Sequence, residues 1–362
     1  MDFKPRRLVE FDILRAFAIF GVIIIHIIGV SFHYWSKGSL TWVVFLALDQ
    51  LFRFSVPFFV FISGYTLFLK YHQIFKYSRF YLKRTTRVLP WYFFWSFLIY
   101  IYLHANLPPG FIDYPTWKLI LLGKVDYHLY FVSMIFQLYL LFPLLRFLFK
   151  KFSLFFVCVV FALEAILYAV FTLDAQNVMH LPFRFYDQQQ YLFFGTWLFY
   201  FILGFVLSQK SPDQTRLRFI RYIFPILATC FLIYAVLDSL HIISQFSDTN
   251  IATRFTRIPI LLFATSFILS AFFYSKQLLK LPKLTIKILL YLANLSFLIY
   301  LIHALVMRIL INFFLPNSVF RLIIFTGIVF SLSTLLAQLS IWGANLIPFQ
   351  KLISRFGITT KK

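Results

Sequence analysis

Residues 11–27 read FDILRAFAIFGVIIIHI, and this stretch decides the fold. It lies inside an apolar run over residues 8–32, which is long enough as a helix to cross about 30 Å of hydrocarbon. No small-residue cleavage site follows the run, so it does not read as a removable signal peptide. The stretch therefore predicts a retained membrane-spanning helix, with Asp12, Arg15 and His26 inside or beside the bilayer.

The rest of the chain repeats this apolar pattern. Of its 362 residues 61% are hydrophobic and 13% are charged, whereas soluble domains carry about 25% charged residues. The pattern predicts an all-α, polytopic membrane helical bundle of about ten transmembrane helices, one membrane domain over residues 1–362 with no appended soluble domain. Pro259 is expected to shorten or kink the eighth span. The nine further spans are expected near 40–69, 88–104, 127–147, 152–173, 191–208, 220–238, 257–275, 287–311 and 319–342.

The positive charges predict the orientation. With the N-terminus inside, the inner segments carry 24 Lys and Arg residues and the outer segments carry 7. The positive-inside rule then predicts that both termini lie in the cytoplasm. The membrane topology therefore accounts for most of the net charge of +22, and no nucleic-acid partner is expected. The only two cysteines, Cys158 and Cys230, lie in apolar runs, which excludes a disulfide framework or a thiolate metal cluster.

Two ionisable residues share one face of the first helix. Arg15 and His26 are eleven residues apart, about 20° from eclipsed and about 16 Å along the axis. Asp12 precedes Arg15 by three positions and is placed to pair with it. Ionisable groups inside a span are functional candidates by default. The alternative is that Arg15 snorkels to the headgroups and His26 makes an ordinary interhelical hydrogen bond.

The ninth span, LANLSFLIYLIHALVM over residues 292–307, carries a polar stripe. Ser296, Tyr300 and His303 recur on one helical face. His303 lies at a depth similar to that of His26, so the two imidazoles are expected to line one cavity. The alternative is that the stripe serves helix–helix contact.

The second span ends in VPFFVFISGYTLF over residues 56–68. Its Ser63-Gly64 pair permits a bend or a close backbone approach. Packing is the simpler interpretation of this pair.

A basic pair follows on the cytoplasmic side. Arg84 and Arg87 lie three residues apart just before Pro90. Two guanidinium groups at this spacing suit phosphate oxygens. The alternative is an ordinary positive-inside anchor.

Polar residues also gather at the predicted outer face. An interfacial aromatic belt accounts for Tyr130 and, less directly, for His128. The loop with Arg184, Asp187 and Gln188–Gln190 is either solvated or in contact with a polar acceptor.

Four motifs in order resemble the acyltransferase-3 family of integral membrane acyltransferases, and together they span nearly the whole chain. The segment HLYFVSMIFQLYLLFPLL over residues 128–145 looks closest to the branch from exopolysaccharide and intercellular adhesin loci. The matching residues are Asp12, Arg15 and His26; Phe58, Phe59, Ser63, Gly64 and Tyr65; Arg84, Arg87 and Pro90; and Ser296, Tyr300, Leu301 and His303.

The resemblance implies an O-acyltransferase of the bacterial cytoplasmic membrane. The co-substrate would be acyl-CoA, most simply acetyl-CoA, bound by Arg84, Arg87, Ser63 and Tyr300 without a metal. The acceptor would be a hydroxyl of an extracytoplasmic polysaccharide or lipid-linked glycan. The catalytic residues would be His26 as general base or as an acylated intermediate, Arg15 orienting the donor, and His303.

The expected partners are membrane lipids, a carbohydrate acceptor and polysaccharide synthesis machinery. Two other classes of protein stay open from sequence. An exporter of polysaccharide or lipid-linked sugar also needs many spans and embedded polar groups, although no inverted repeat is visible. A structural scaffold has no reason to hold two histidines at equal depth.

Overall fold

The computed structural model describes residues 8–71, 75–106, 116–175, 187–209 and 220–346, and every regular element in these ranges is a helix. Short 3₁₀ segments extend α1, precede α8 and follow α11. The helices are α1 Val9–Ser31, α2 Leu40–Phe52, α3 Ser55–Tyr71, α4 Tyr77–Asn106, α5 Thr116–Leu122, α6 Tyr130–Ala175, α7 Asp187–Leu192, α8 Leu198–Ser208, α9 Ile220–Phe246, α10 Thr249–Ala252, α11 Ile258–Tyr274, α12 Lys283–Ile311 and α13 Val319–Leu346.

Eight helices of the described ranges are long and apolar enough to cross a membrane. They divide into a centre and a periphery. More than half of the most apolar window is buried in α1, in α2–α3 and in α12, against 22% in α6, α9 and α13. Apolar side chains that stay exposed over such lengths face lipid rather than water. The chain is thus a multi-pass helical membrane protein, as its composition predicted.

Helix α6 covers two of the predicted spans. Its 46 residues are broken at Ser153, where φ is +40° and ψ is −115°. A continuous helix of this length would measure about 69 Å, more than twice the hydrocarbon thickness. The predicted span at 191–208 corresponds to a shorter apolar helix, Phe194–Ser208. The number of ten crossings and the orientation stay predictions.

Pro259 does not kink its helix. It lies in the first turn of α11, where its missing N–H has no intrahelical acceptor to lose. The predicted kink is therefore wrong, because the helix begins at Ile258 instead of running through the proline.

One predicted span is broken in the structure. The stretch 40–69 forms two helices, because α2 ends at Phe52 and α3 begins at Ser55. The break packs against α1 at Gly21, where an added Cβ would clash with the hydroxyl of Ser55. This contact brings Arg53, which sits in the break, to the outer half of α1.

Helix α3 crosses α8 at very short range. A Cβ added at Gly64 would clash with the carbonyl oxygen of Phe201, so only glycine fits this position. The close approach confirms the packing interpretation for Gly64, and the role of Ser63 stays a prediction.

Helix α1 runs parallel to α12 and antiparallel to α3. Arg15 contacts Ala293 near the start of α12, and His26 meets His303 ten residues further along it. Against α3 the order reverses, since Phe11 stacks on Tyr65 at 4.5 Å while Gly21 meets Ser55. The first helix therefore lies between α3, which carries Ser63, and α12, which carries Tyr300 and His303.

A carboxyl group is buried in the bundle beside α8. Glu164 is 2% exposed, and its Oε2 accepts a hydrogen bond from the backbone N–H of Phe199 at 2.7 Å. An acidic group at a helix N-terminus satisfies a backbone donor that lipid cannot. Glu164 thus anchors the first turn of α8.

Candidate active site

A cavity of about 700 Å³ opens beside the C-terminal half of α1, which is the outer half in the predicted orientation. Its wall includes His26 and Arg53, and it contains no Asp or Glu among the described residues. The exposed His33 and Asn250 mark its mouth. The other polar and aromatic lining residues are Tyr127, His128, Tyr130, Tyr191, Thr253, Arg254, Phe255 and Tyr300.

His26 presents its imidazole to this cavity. The ring stacks on His303 with centroids 5.2 Å apart, and it meets Tyr127 edge-on at 4.8 Å. Neither ring nitrogen makes a hydrogen bond to the described part of the chain. An imidazole held by its faces with its nitrogens open is suited to exchange a proton with a bound molecule.

Two further histidines stand behind His26, and the backbone orients both. The Nδ1–H of His303 donates to the carbonyl of Tyr300 at 2.7 Å when that nitrogen carries the proton. Nε2 of His128 lies 3.3 Å from the carbonyl of Leu301. His303 is fully buried and is absent from the cavity wall. The two rings meet, but the prediction that both line one cavity is wrong for His303, which lies behind His26 and supports its ring.

Tyr300 ties the cluster together. Its hydroxyl donates to the backbone carbonyl of His128, and its ring lies 5.5 Å from the imidazole of His128. Tyr300 also faces the cavity. The structure thus places Tyr300 with the histidines.

An ion pair fixes the segment that carries His128. Arg308 donates to both carboxylate oxygens of Asp126, at 3.1 and 2.7 Å. Such bidentate pairs constrain geometry as well as adding energy. His128 lies in the turn before α6, and burial lowers the pKa of its imidazole, while the nearby charge of Asp126 acts in the opposite direction. The imidazole of His128 is therefore neutral at neutral pH.

The sequence predicted an interfacial belt position for Tyr130 and, less directly, for His128, but the structure buries both. They are 1% and 9% exposed and line the cavity. In a sequence, the first turn of a span looks like a membrane interface. Nothing in the local pattern shows that distant rings cover these residues, Tyr300 and His303 over His128, and Tyr191 and Trp197 over Tyr130. The belt interpretation is wrong for both residues.

Arg53 is the main site residue that the sequence analysis missed. It is 8% exposed, lines the cavity and donates from Nε and Nη2 to the two oxygens of Asp49, each at 2.9 Å. The Phe255 ring lies 4.5 Å from the centre of its guanidinium. The available signal was an Asp and an Arg four residues apart inside an apolar span.

Arg15 lies away from the cavity. It pairs with Asp12 at 3.1 Å and donates to the carbonyl of Ala293 at 3.0 Å. The predicted pairing with Asp12 is confirmed. The structure does not bring Arg15 to His26, and the guanidinium instead joins α1 to α12.

The basic pair lies far from the histidines. Tyr102 on α4 contacts Asn312 at the end of α12, and Arg84 comes 18 residues earlier, about 27 Å along the helix. Arg84 is half-buried between the rings of Phe80 and Tyr139, while Arg87 is exposed. Both arginines therefore lie near the level of Arg15, at the opposite end from the cavity.

Further cations lie near this pair. The ammonium of Lys70 lies within electrostatic range of four cations, Arg79, Lys83, Arg84 and Arg87. Ser63 lies in the middle of α3, on the inner side of the Gly21–Ser55 contact. The structure thus separates Arg84, Arg87 and Ser63 from Tyr300, although the sequence grouped all four as donor-binding residues.

The outer loop is only partly described. Arg184 lies outside the described residues, as do the side chains of Asp187, Gln188 and Gln189. Gln190 is 1% exposed and accepts a hydrogen bond from the hydroxyl of Thr256 at 3.0 Å, so it is not solvated. This hydrogen bond joins α7 to the residue pair that precedes α11.

Among the described residues, no group of three or more His, Cys, Asp or Glu side chains is placed to hold a metal ion. A family model described as an acyltransferase domain, that of acyltransferase-3, matches residues 8–342. The chain belongs to the acyltransferase-3 family. No curated protein and no solved structure shows a significant match to it.

Membership in the acyltransferase-3 family makes this chain a membrane acyltransferase. The match begins just before α1 and ends within α13, so it includes every helix that contributes to the histidine cluster and the cavity. The resemblance to the exopolysaccharide branch stays a prediction.

Proposed function

We propose that this acyltransferase moves a short acyl group, most simply acetyl, from cytoplasmic acyl-CoA to a hydroxyl of an extracytoplasmic polysaccharide or lipid-linked glycan. The observation that carries the proposal is the open imidazole of His26 in the wall of a 700 Å³ cavity. A cavity of this size accommodates a sugar unit with its attacking hydroxyl. The chain would act in the bacterial cytoplasmic membrane beside polysaccharide synthesis machinery.

The composition of the cavity favours a carbohydrate acceptor. Tyr127, Tyr130, Tyr191 and Phe255 supply flat apolar surfaces, and Asn250 supplies an amide at the mouth. Sugars present apolar C–H faces and a rim of hydroxyls, which match aromatic walls with a few polar groups.

The opposite end favours a phosphate-bearing donor. Arg84 and Arg87 lie among further cations and would hold the CoA phosphates, with Arg15 and Ser63 on the path inward. The thioester would extend from there toward His26. The separation of the two ends matches a long donor that reaches across the bundle from the cytoplasm.

His26 would take the proton from the acceptor hydroxyl as that oxygen attacks the thioester carbonyl. A sugar hydroxyl is too weakly acidic to attack unaided, and a neutral imidazole is a suitable base. His303 would hold the ring of His26 by stacking. Transfer through an acylated His26 would use the same geometry in two steps.

The test is to follow CoA release from acetyl-CoA by purified protein in lipid nanodiscs, with surface glycan from cells that lack the gene as acceptor. Mass spectrometry of the glycan should show an added acetyl ester with the intact protein and none with His26→Ala. Polymer that leaves the cells by way of this protein but gains no acyl group would indicate an exporter and contradict the proposal.

A further inference from the structure

The buried arginine in the break between α2 and α3 has one nitrogen that the protein does not use. Nε and Nη2 of Arg53 both bind Asp49, whereas Nη1 makes no hydrogen bond to any residue in the described ranges. Nη1 is not fully enclosed by protein, and a donor left without an acceptor inside a membrane is costly. Since Arg53 lines the cavity, an oxygen of a bound molecule can supply the missing acceptor.

Several contacts hold this guanidinium in one orientation. The Phe255 ring covers one face at 4.5 Å, and Asp49 fixes the edge with two hydrogen bonds of 2.9 Å. The amide of Gln50 donates to Asp49 at 2.9 Å, and its oxygen accepts from Arg257. A donor fixed before substrate binds needs no reorganisation during the reaction.

The pairing with Asp49 also sets the charge of the group. The carboxylate offsets the positive charge of Arg53, so the cavity presents a directed N–H donor more than a bare cation. Such a donor binds a neutral carbonyl weakly and an oxyanion strongly, which is the difference that accelerates a reaction.

We propose that Arg53 is a catalytic residue that stabilises the oxyanion formed during acyl transfer, with His26 as the base in the same cavity. This inference rests on the proposed function. The acceptor oxygen bonds to the thioester carbonyl carbon, the carbonyl π pair moves onto oxygen beside Nη1, and the acceptor proton passes to His26. The oxygen pair then re-forms the carbonyl, the C–S bond breaks, and the thiolate of CoA leaves and takes the proton from His26.

The closing experiment compares two buried arginines of one network. Arg257 is 2% exposed and binds Asp238, Gln50 and Ser239, but it is absent from the cavity wall. Arg53→Lys and Arg257→Lys are purified in nanodiscs, and the folded fraction of each is isolated by size-exclusion chromatography. CoA release is then measured with acetyl-CoA and surface glycan from cells that lack the gene.

Arg53→Lys should lower kcat by about 10²–10³-fold with little change in either KM, the usual loss for one oxyanion donor. Arg257→Lys should lose thermal stability and lower kcat much less than Arg53→Lys does, because Arg257 reaches Arg53 only through Gln50 and Asp49. Guanidinium ion added to Arg53→Gly should restore part of kcat. An unchanged kcat in Arg53→Lys, or an equal loss in both lysine variants, would overturn the assignment.

Asp49→Asn provides a second test that does not depend on the folding of the Arg53 variants. It keeps the guanidinium but loosens its hold on Nε and Nη2, and kcat should fall while KM stays close to the wild-type value. An unchanged kcat here would also contradict the assignment. If the intact protein releases no CoA at all, the proposed function itself fails.

Discussion

The two halves of α1 use their ionisable residues in opposite ways. In the inner half, Arg15 is occupied by Asp12 and by the carbonyl of Ala293. In the outer half, His26 leaves both nitrogens open to a cavity and is held only through its ring faces. The sequence placed both on one helical face as equals. The difference teaches that a polar group in a span can act on a substrate only where the protein leaves some of its hydrogen-bond donors or acceptors unused.

The largest expected effect is at the open end. His26→Ala should lower kcat by about 10²–10⁴-fold, since that is the usual contribution of a general base. Thermal unfolding and nanodisc incorporation should stay near wild type, because the ring lies at a cavity wall. His241→Ala is the matched control, since His241 is exposed and does not line the cavity. Normal acetylation by the His26 variant would break the comparison.

Substitution of Arg15, whose guanidinium is already bonded within the protein, should affect both stability and catalysis. Arg15→Ala removes the ion pair with Asp12 and the hydrogen bond to the carbonyl of Ala293, so α1 can shift against α12. We expect lower thermal stability and a fall in kcat/KM of about 10–100-fold, since misplacement by 1 Å can cost about 10²-fold. Arg15→Lys should recover part of both. A loss of stability with unchanged kinetics would assign Arg15 to packing alone.

The basic pair should affect donor binding only. Arg87→Gln should raise KM for acetyl-CoA about tenfold with kcat unchanged, because removing one charged phosphate contact costs roughly 1.5–3 kcal/mol before solvent screening. Arg87 is exposed, so the fold should not change. Arg321→Gln, an exposed arginine on α13, is the control. An equal KM in both variants would leave Arg87 as a topological anchor.

The smallest effect concerns pH. Burial lowers the pKa of His128 in the folded protein, and the groups that face it are Asp126, Arg308 and His303. A group with a lowered folded pKa contributes stability that is present above the unfolded value, near 6.5, and is lost as pH falls through the folded pKa. Thermal stability should therefore decline from pH 7 to pH 5. His128→Asn should show a shallower decline, and an unchanged slope would contradict the assignment.

How much of the site the sequence predicted depends on the range of the contact involved. The meeting of His26 with His303 followed from equal depth on two helices, because helical rise converts sequence position into height. The Arg53 site did not follow, since residues 53–54 contain neither Pro nor Gly to mark the end of α2. The break is fixed by Gly21 on another helix and by the bond from Arg257 to Gln50.

The same limit explains the errors. The ring of His128 packs against Tyr300 and His303 on α12, and the ring of Tyr130 packs against Tyr191 and Trp197. All four partners lie more than 60 residues away in sequence. Their local pattern is that of any span that begins at an interface. The pattern of apolar runs was enough for the helical fold and for most span positions, because those depend on local composition.

The stacked pair of His26 and His303 has a consequence for biosynthesis. The two rings are 277 positions apart, on the first long helix and the last but one. A ribosome delivers the opening helix to the translocon long before its partner exists. During that interval the imidazole of His26 has no companion ring, and the wall around it is incomplete. The active site is therefore complete only late in translation. Any prematurely terminated product that ends before α12 should be inactive in the membrane.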